Sequence, residues 1–382
     1  VMLQLRVDLV ETPAGSDIDL MIDPVAQVLA GGNMVVGSVV SSGVVPFVST
    51  PVPPVQQPSY HARSISGGLG TSYALLGGNL FTMGRNEQSE LGRAGDPAQN
   101  LMASFGDNLV AVSVGEAHGL ALEGDGQLWS WGSGTYGQAT GMPGLESGLT
   151  FPVVLVATGG YTSYALDDQG QLWAKGRNHL GQAGVGTNSD LMSWTQVSLP
   201  AGNVTDVSAG LEHLLVIVDG DLYGCGSNGF GQSGQVSNVP MLIDDSRAYI
   251  RVEAGGFHSL ALSDSGEVFA WGRNIRGQLG LGVTSATSSF QQVPGLSGIT
   301  DLAAGRDHSL FLNGSGDVLG AGSDRSGQLS EGSTASPVFI SGWISVVEIG
   351  AGAYSSSIRT SGGVVEVKGL IGEEKLDGPV LP

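Results

Sequence analysis

The stretch Gly255-Gly256-Phe257-His258-Ser259-Leu260-Ala261-Leu262-Ser263-Asp264-Ser265-Gly266-Glu267-Val268-Phe269-Ala270-Trp271-Gly272-Arg273-Asn274-Ile275-Arg276-Gly277-Gln278-Leu279-Gly280 decides the fold of this 382-residue chain. Ser259 to Leu262 is a short apolar run behind a Gly-x-x-His entry. Asp264-Ser265-Gly266 is a turn, with glycine where a positive φ suits it. Val268 to Trp271 is a second apolar run, and the residues from Gly272 to Gly280 are too glycine-rich for a helix or a mid-strand. Two strands and a turn cannot bury an apolar face alone, so the segment must lean on copies of itself.

Seven copies exist, aligned on the entry glycines Gly68, Gly115, Gly159, Gly210, Gly255, Gly305 and Gly352, at steps of 44 to 51 residues. A period of this size marks a repeat architecture. A corner glycine keeps register at Gly84, Gly132, Gly176, Gly226, Gly272, Gly322 and Gly369. Gly-Gln recurs at Gly137-Gln138, Gly181-Gln182, Gly231-Gln232, Gly277-Gln278 and Gly327-Gln328, while the first copy has Ser89-Glu90-Leu91-Gly92 there. A further strand precedes the entry glycine, as in Val153 to Ala157 and Ile299 to Ala304, and a fourth is expected in the link, as in Ser193 to Leu199 or Phe290 to Val293. Four short strands, seven times over and without helical periodicity, predict an all-β, seven-bladed propeller. Radial closure leaves few free sheet edges.

The repeat, A-x-G-x-x-H-S-x-A-L followed by G-x-L/V-x-x-W-G-x-N-x-x-G-Q-L-G, resembles that of the regulator of chromosome condensation family, and the fifth copy matches it at nearly every position. The resemblance covers about Tyr60 to Gly369 and is closest in kind to bacterial secreted members. It implies the propeller. For function it implies a scaffold that binds a protein through its loops, or guanine-nucleotide exchange on a small GTPase, because one fold serves unrelated partners.

Three regions are expected: residues 1–57 as a β extension and proline-rich bridge, 58–370 as the propeller, and 371–382 as a C-terminal tail. The seventh copy lacks a Gly-Gln corner, so Val35 to Val55 are expected to close the last blade, with Val1 to about Ala30 as an extra β element.

Thirty-five Asp and Glu face 15 Lys and Arg, a net charge of −20, and only Lys175, Lys368 and Lys375 are lysines. Such a surface repels nucleic acid and anionic membranes. No apolar run is long enough to span a membrane as a helix. Lysine poverty with Gly, Ser, Thr and Val richness points to an extracellular or cell-surface protein. The one cysteine, Cys225, takes the strand position of Trp271 and reads as a buried hydrophobe.

His118, His213, His258 and His308 share one repeat position. A metal would need several rings about 2 Å from one ion, whereas repetition spreads them one to a blade, so they read as structural, like the corner glycines. Glu116, Glu212 and Asp307 sit beside that position and read as solvated loop charges; a cation-binding rim is the alternative. Arg85, Arg177 and Arg273 recur in Gly-Arg-Asn and read as repeat contacts. The residues that break the repeat, Tyr136, His179, Trp194, Phe230, Ile275, Arg276 and Trp343, are the candidate interface, since the fold does not require them and aromatics anchor interfaces.

No catalytic, cofactor or metal signature appears in the sequence. Gly132-Ser133-Gly134-Thr135-Tyr136-Gly137 lacks the Lys-Ser/Thr and helix of a phosphate loop. The expected function is a non-catalytic protein-interaction scaffold, with a protein partner or an assembly of copies and without nucleic acid. Exchange activity is the first alternative, and a polysaccharide-active enzyme working across the channel is the second.

Overall fold

A computed structural model describes residues 63–94, 101–103, 105–106, 108–372 and 374–381. The chain divides into two units, residues 1–55 and 56–382, and every described residue belongs to the second. The expected β extension and closing strand of residues 1–57 therefore lie outside the described residues.

The second unit is a ring of seven antiparallel four-stranded sheets, each made of four consecutive strands. The first strand of each blade lines the central channel: Ile65–Gly67, Leu109–Val114, Val153–Thr158, Val204–Ala209, Tyr249–Ala254, Ile299–Ala304 and Val346–Ala351. The second and third strands form the predicted hairpin, as in His258–Ser263 paired with Val268–Asn274. The link strands are displaced from their expected spans, to Leu191–Gln196 and Ser285–Gln292. Among the described residues the secondary structure holds no helix.

Antiparallel succession gives the ring two unlike faces. Entry loops and Gly-Gln corners emerge on one, the corner face. The turns between second and third strands, and the links to the next blade, emerge on the other, the hairpin face.

The last blade corrects the sequence reading. Residues 371–382 were expected as a tail, but Glu374–Leu381 is the outer strand of the seventh blade, paired with Val365–Ile371. That takes the place assigned to Val35 to Val55. Its alternation is masked by Gly378 and Pro379, which an outer strand tolerates because one edge is unpaired.

The blades pack through apolar faces. One cluster joins Tyr164, Leu166 and Leu172 of the third blade to Val207, Leu214, Val216 and Cys225 of the fourth. Cys225 is fully buried, which pushes its thiol well above the usual range.

The entry glycines are in closest contact. A Cβ on any of the seven would stand 3.0 Å or less from the carbonyl oxygen of the next entry glycine around the ring. None of them has a positive φ; only their side-chain hydrogen fits. Backbone bonds seal the same circle, including Gly160 N–H to Gly210 O (3.1 Å), Gly256 N–H to Gly305 O (3.1 Å) and, from the last blade to the first, Ala353 N–H to Gly68 O (3.0 Å).

We predict that Gly210→Ala lowers stability by about 3 kcal/mol, because the clash is with backbone that cannot yield. Gly229→Ala, where a Cβ meets nothing within 4 Å, is expected to be near neutral. Thermal melts followed by circular dichroism check both, and equal effects would refute the steric argument.

Candidate functional site

The structure assembles three sets of polar side chains: a belt between the blades, a knot in the channel, and loops on the corner face.

The belt contains the repeated histidines, all buried. His213 Nε2 lies 2.9 Å from Ser259 Oγ of the next blade. His258 pairs in the same way with Ser309, and His308 with Ser356, each at 2.9 Å. Ser259 and Ser309 donate onward to the backbone carbonyls of Gln232 and Gln278 (2.8 and 2.6 Å). Those two serines must then accept from the imidazole N–H, which puts a proton on Nε2 of His213 and His258, while burial disfavours a second proton on either ring. His118 holds the equivalent place with neither ring nitrogen bonded among the described residues, and its burial is as complete. Where the next blade offers Gly119 or Leu214 in place of serine, the position holds Thr71 or Thr162.

The Gly-Gln side chains brace the corners: Gln278 Oε1 accepts from Arg276 N–H (3.0 Å) and Gln138 Oε1 from Tyr136 N–H (2.9 Å).

The channel knot was not foreseen. Arg63, on the segment entering the first blade, reaches Glu253 of the fifth. It also donates to Leu302 O of the sixth (2.8 Å) and Ile349 O of the seventh (2.7 Å). Glu348 accepts from Ser64 N–H (2.6 Å), Ile65 N–H (3.1 Å) and Arg359 Nε (2.9 Å). Arg251 Nε stands 3.5 Å from Asp301, and Asp206 accepts from Val252 N–H (2.8 Å). Burial pushes Glu253 up to about 7; Arg63 opposes this, and Asp206 and Asp301 add to it. Four acids from neighbouring blades thus converge, but on three arginines and backbone amides rather than on open space. The channel volume is about 160 Å³. That is below the roughly 300 Å³ at which small-molecule sites begin.

Two expected interface residues belong to the core. Trp194 is 8% exposed and packs between the second and third blades. There Glu146 accepts from its Nε1 (3.0 Å), from Lys175 (2.8 Å) and from Ser130 (2.5 Å). Trp343 is 5% exposed and packs between the sixth and seventh blades, with Lys368 over its ring. Trp194 lies in the outer strand Leu191–Gln196 and Trp343 in the link after Thr334–Phe339; both positions must cover the neighbouring blade, and a large ring does so.

The other five lie on the corner face. Tyr136 meets Tyr161 of the next blade edge-on, with Arg177 over both rings. Phe230 meets Phe257 with the rings tilted at 59°, with Arg273 over both and 3.2 Å from Asp307. Arg85 pairs with Glu90 (2.9 Å) and donates to Glu116 O (3.0 Å). His179 lies 3.5 Å from Glu212, and Ile275 is 38% exposed. Among the described residues no group of three His, Cys, Asp or Glu could hold a metal ion.

Burial holds His118, His213 and His258 down at about 3 and His308 at about 4, against 6.5 in an unfolded chain. The unfolded state therefore takes up these protons first as pH falls. Their contribution is complete above pH 6.5 and declines towards pH 4, by roughly 1 kcal/mol per pH unit for each histidine. The double variant His213→Thr/His258→Thr is expected to flatten the slope of stability against pH in denaturant titrations from pH 7 to 4. An unchanged slope would contradict the assignment.

Arg63→Met is expected to cost about 3 kcal/mol by stranding Glu253. Without its partner Glu253 has a folded pKa further above its unfolded value, so the penalty grows as pH rises from 5 to 8. Adding Glu253→Gln should remove that growth, measured in the same titrations.

Models of the regulator of chromosome condensation (RCC1) repeat match residues 265–312 and, in a second form, residues 109–138, 153–182, 249–278 and 299–328. The Ultraviolet-B receptor UVR8 of Arabidopsis thaliana is 30% identical over 228 residues, 54% of this chain and 51% of its own. The E3 ubiquitin-protein ligase HERC2 of Homo sapiens is 29% identical over 276 residues, 66% of this chain and 6% of its own. The chain thus spans about half the length of the first of these relatives and far less of the second. Among solved structures, Prp20p of Saccharomyces cerevisiae, described with its binding properties to Gsp1p and histones, superposes with a TM-score of 0.71 at 19% identity, over 84% of this chain and 90% of that one. Human WBSCR16 gives 0.70 at 24%, over 77% and 85%. At these identities the likeness is one of fold.

Proposed function

We propose that this chain, a ring of regulator of chromosome condensation (RCC1) repeats and a member of that family, is a non-catalytic scaffold that binds a protein partner through the loops of its corner face. One observation carries the reading. Tyr136, Phe230, Ile275 and Arg276 sit at corner tips where the repeat allows variation, and each is partly or fully exposed. The ring beneath fixes them in place, which lowers the ordering cost of binding. Relatives of this fold support a protein partner, since Prp20p is described with Gsp1p and histones. The channel argues against a polysaccharide-active enzyme, because its acids are tied to arginines and its volume is small. The net charge of −20 argues against nucleic acid as the partner. On composition alone we place the protein outside the cell or on its surface.

Guanine-nucleotide exchange is the second reading, favoured by the likeness in fold to Prp20p. Release of labelled GDP from a panel of small GTPases separates the two.

For the scaffold, we expect Tyr136→Ser/Phe230→Ser/Ile275→Ser to weaken a partner captured from the source's medium or envelope by at least about tenfold while the melting temperature holds. Retained affinity in the triple variant, or catalysed GDP release by the native chain, would overturn the proposal.

A further inference from the structure

The corner face is not uniform. From the fourth corner to the seventh entry loop it carries Phe230, Phe257, Arg273, Arg276, Arg306, Arg325 and Tyr354. The acids in this arc are already engaged. Asp307 faces Arg273 (3.2 Å) and Gln278 (3.3 Å). Asp324 accepts from the backbone N–H groups of Leu329 (2.6 Å), Ser330 (3.0 Å) and Gly332 (2.8 Å). Glu331 accepts from Ser341 N–H (3.1 Å) and its hydroxyl.

Apart from Arg273, the arginines are not so engaged. Arg276 and Arg325 have no carboxylate partner among the described residues. Arg306 likewise has no carboxylate partner among the described residues; its guanidinium lies over the Tyr354 ring and 3.2 Å from that hydroxyl. In a chain with 35 acids for 15 cations, three arginines left without carboxylates in one arc are a local reversal of charge.

The hairpin face has the opposite character. Asp125, Asp168, Asp219, Asp221, Asp245 and Asp264 stand there, and Arg247 is the cation among its described turns and links. The reversal therefore belongs to the corner face, and Arg177 at its third corner, over Tyr136 and Tyr161, adds to it outside the arc.

We propose that the arc over blades four to seven docks an acidic segment of the protein partner, with carboxylates meeting Arg276, Arg306 and Arg325 and an aromatic or apolar side chain meeting Phe230 and Phe257. This rests on the scaffold reading and adds the partner's chemistry. Guanidinium groups suit carboxylates because they bond two oxygens at once, and rings beside them exclude the water that would otherwise screen the pair. The chain as a whole, at net −20, repels such a segment, so the attraction acts only at contact range, within a Debye length of about 8 Å at physiological salt.

The test uses two short fluorescent peptides, one of alternating Glu and Tyr and one of alternating Lys and Tyr, titrated with the full chain by anisotropy. The acidic peptide is expected to bind and to weaken as salt is raised, and the basic one not to bind through the arc. Arg276→Gln/Arg325→Gln, both at loop tips, should cost at least about tenfold in affinity. Adding Arg306→Gln should cost more, and Arg247→Gln on the hairpin face nothing. Equal binding by native and arc variants, tighter arc-dependent binding of the basic peptide, or no binding of the acidic one would overturn the proposal. Salt-sensitive self-association of the chain, abolished by the arc variants, would overturn it in favour of a second copy as occupant. If the peptides fail while the captured partner still depends on Tyr136, Phe230 and Ile275, the scaffold stands and only the partner's chemistry is wrong. If both fail, the scaffold falls too.

Discussion

Seven glycines set side by side around the channel, with no room for a methyl group between one and the next, are the constraint on which the other contacts in this ring depend. Each entry glycine lies against the carbonyl of the next, so the distance between inner strands is set by backbone alone. With that distance fixed, the second strands come close enough for His213, His258 and His308 to reach serines on the neighbouring blade. The same approach brings the Gln232 and Gln278 carbonyls under those serines. Apolar faces supply most of the driving force, as in any packed β structure. The glycines and the polar belt determine that the apolar faces close into seven sectors and not an open stack.

The repeated parts of the fold were legible because repetition is itself a signal. Entry glycine, histidine, corner glycine and Gly-Gln each recur in register, and the structure places each at a contact that recurs. Features that repeat poorly were read poorly. The channel acids are the exception: Asp206, Asp301 and Glu348 each stand four residues before their entry glycine, a recurrence the motif does not include, while Glu253 stands two before its own. Arg63 precedes the first entry glycine, where the pattern had only begun, yet it bonds to three distant blades. Trp194 and Trp343 were assigned to the interface because they fall outside the motif; packing on a neighbouring blade needs bulk at a position the motif does not specify. The last strand was missed because Gly378 and Pro379 hide its pattern, and only its pairing with Val365–Ile371 identifies it.

Charge is distributed by face and depth. Buried ions occur in the channel and at Glu146, where they are matched by opposite charges and hydrogen bonds, as burial demands. On the hairpin face, carboxylates such as Asp125 and Asp219 are hydrogen-bonded locally but have no ion pair among the described residues. The corner face mixes aromatic rings with arginines, some held by acids and some not. A ring with such unlike ends has a direction, and a partner approaching it meets different chemistry according to the side it comes from.

Each described sheet is made of strands consecutive in the chain; the first and last blades do not exchange one. Where they meet, the join is made by Ala353 to Gly68, Gly372 to Gly70 and the Glu348 carboxylate holding Ser64 and Ile65. The ring is thus a bracelet fastened by a clasp rather than a welded hoop. Tension applied between the two ends of the ring is borne at that fastening, while the hairpins of every blade are spared. Opening it would leave seven intact sheets in a row, each still holding its neighbour, and reclosing would require the two end blades to meet and Arg63 to regain its bonds across the channel.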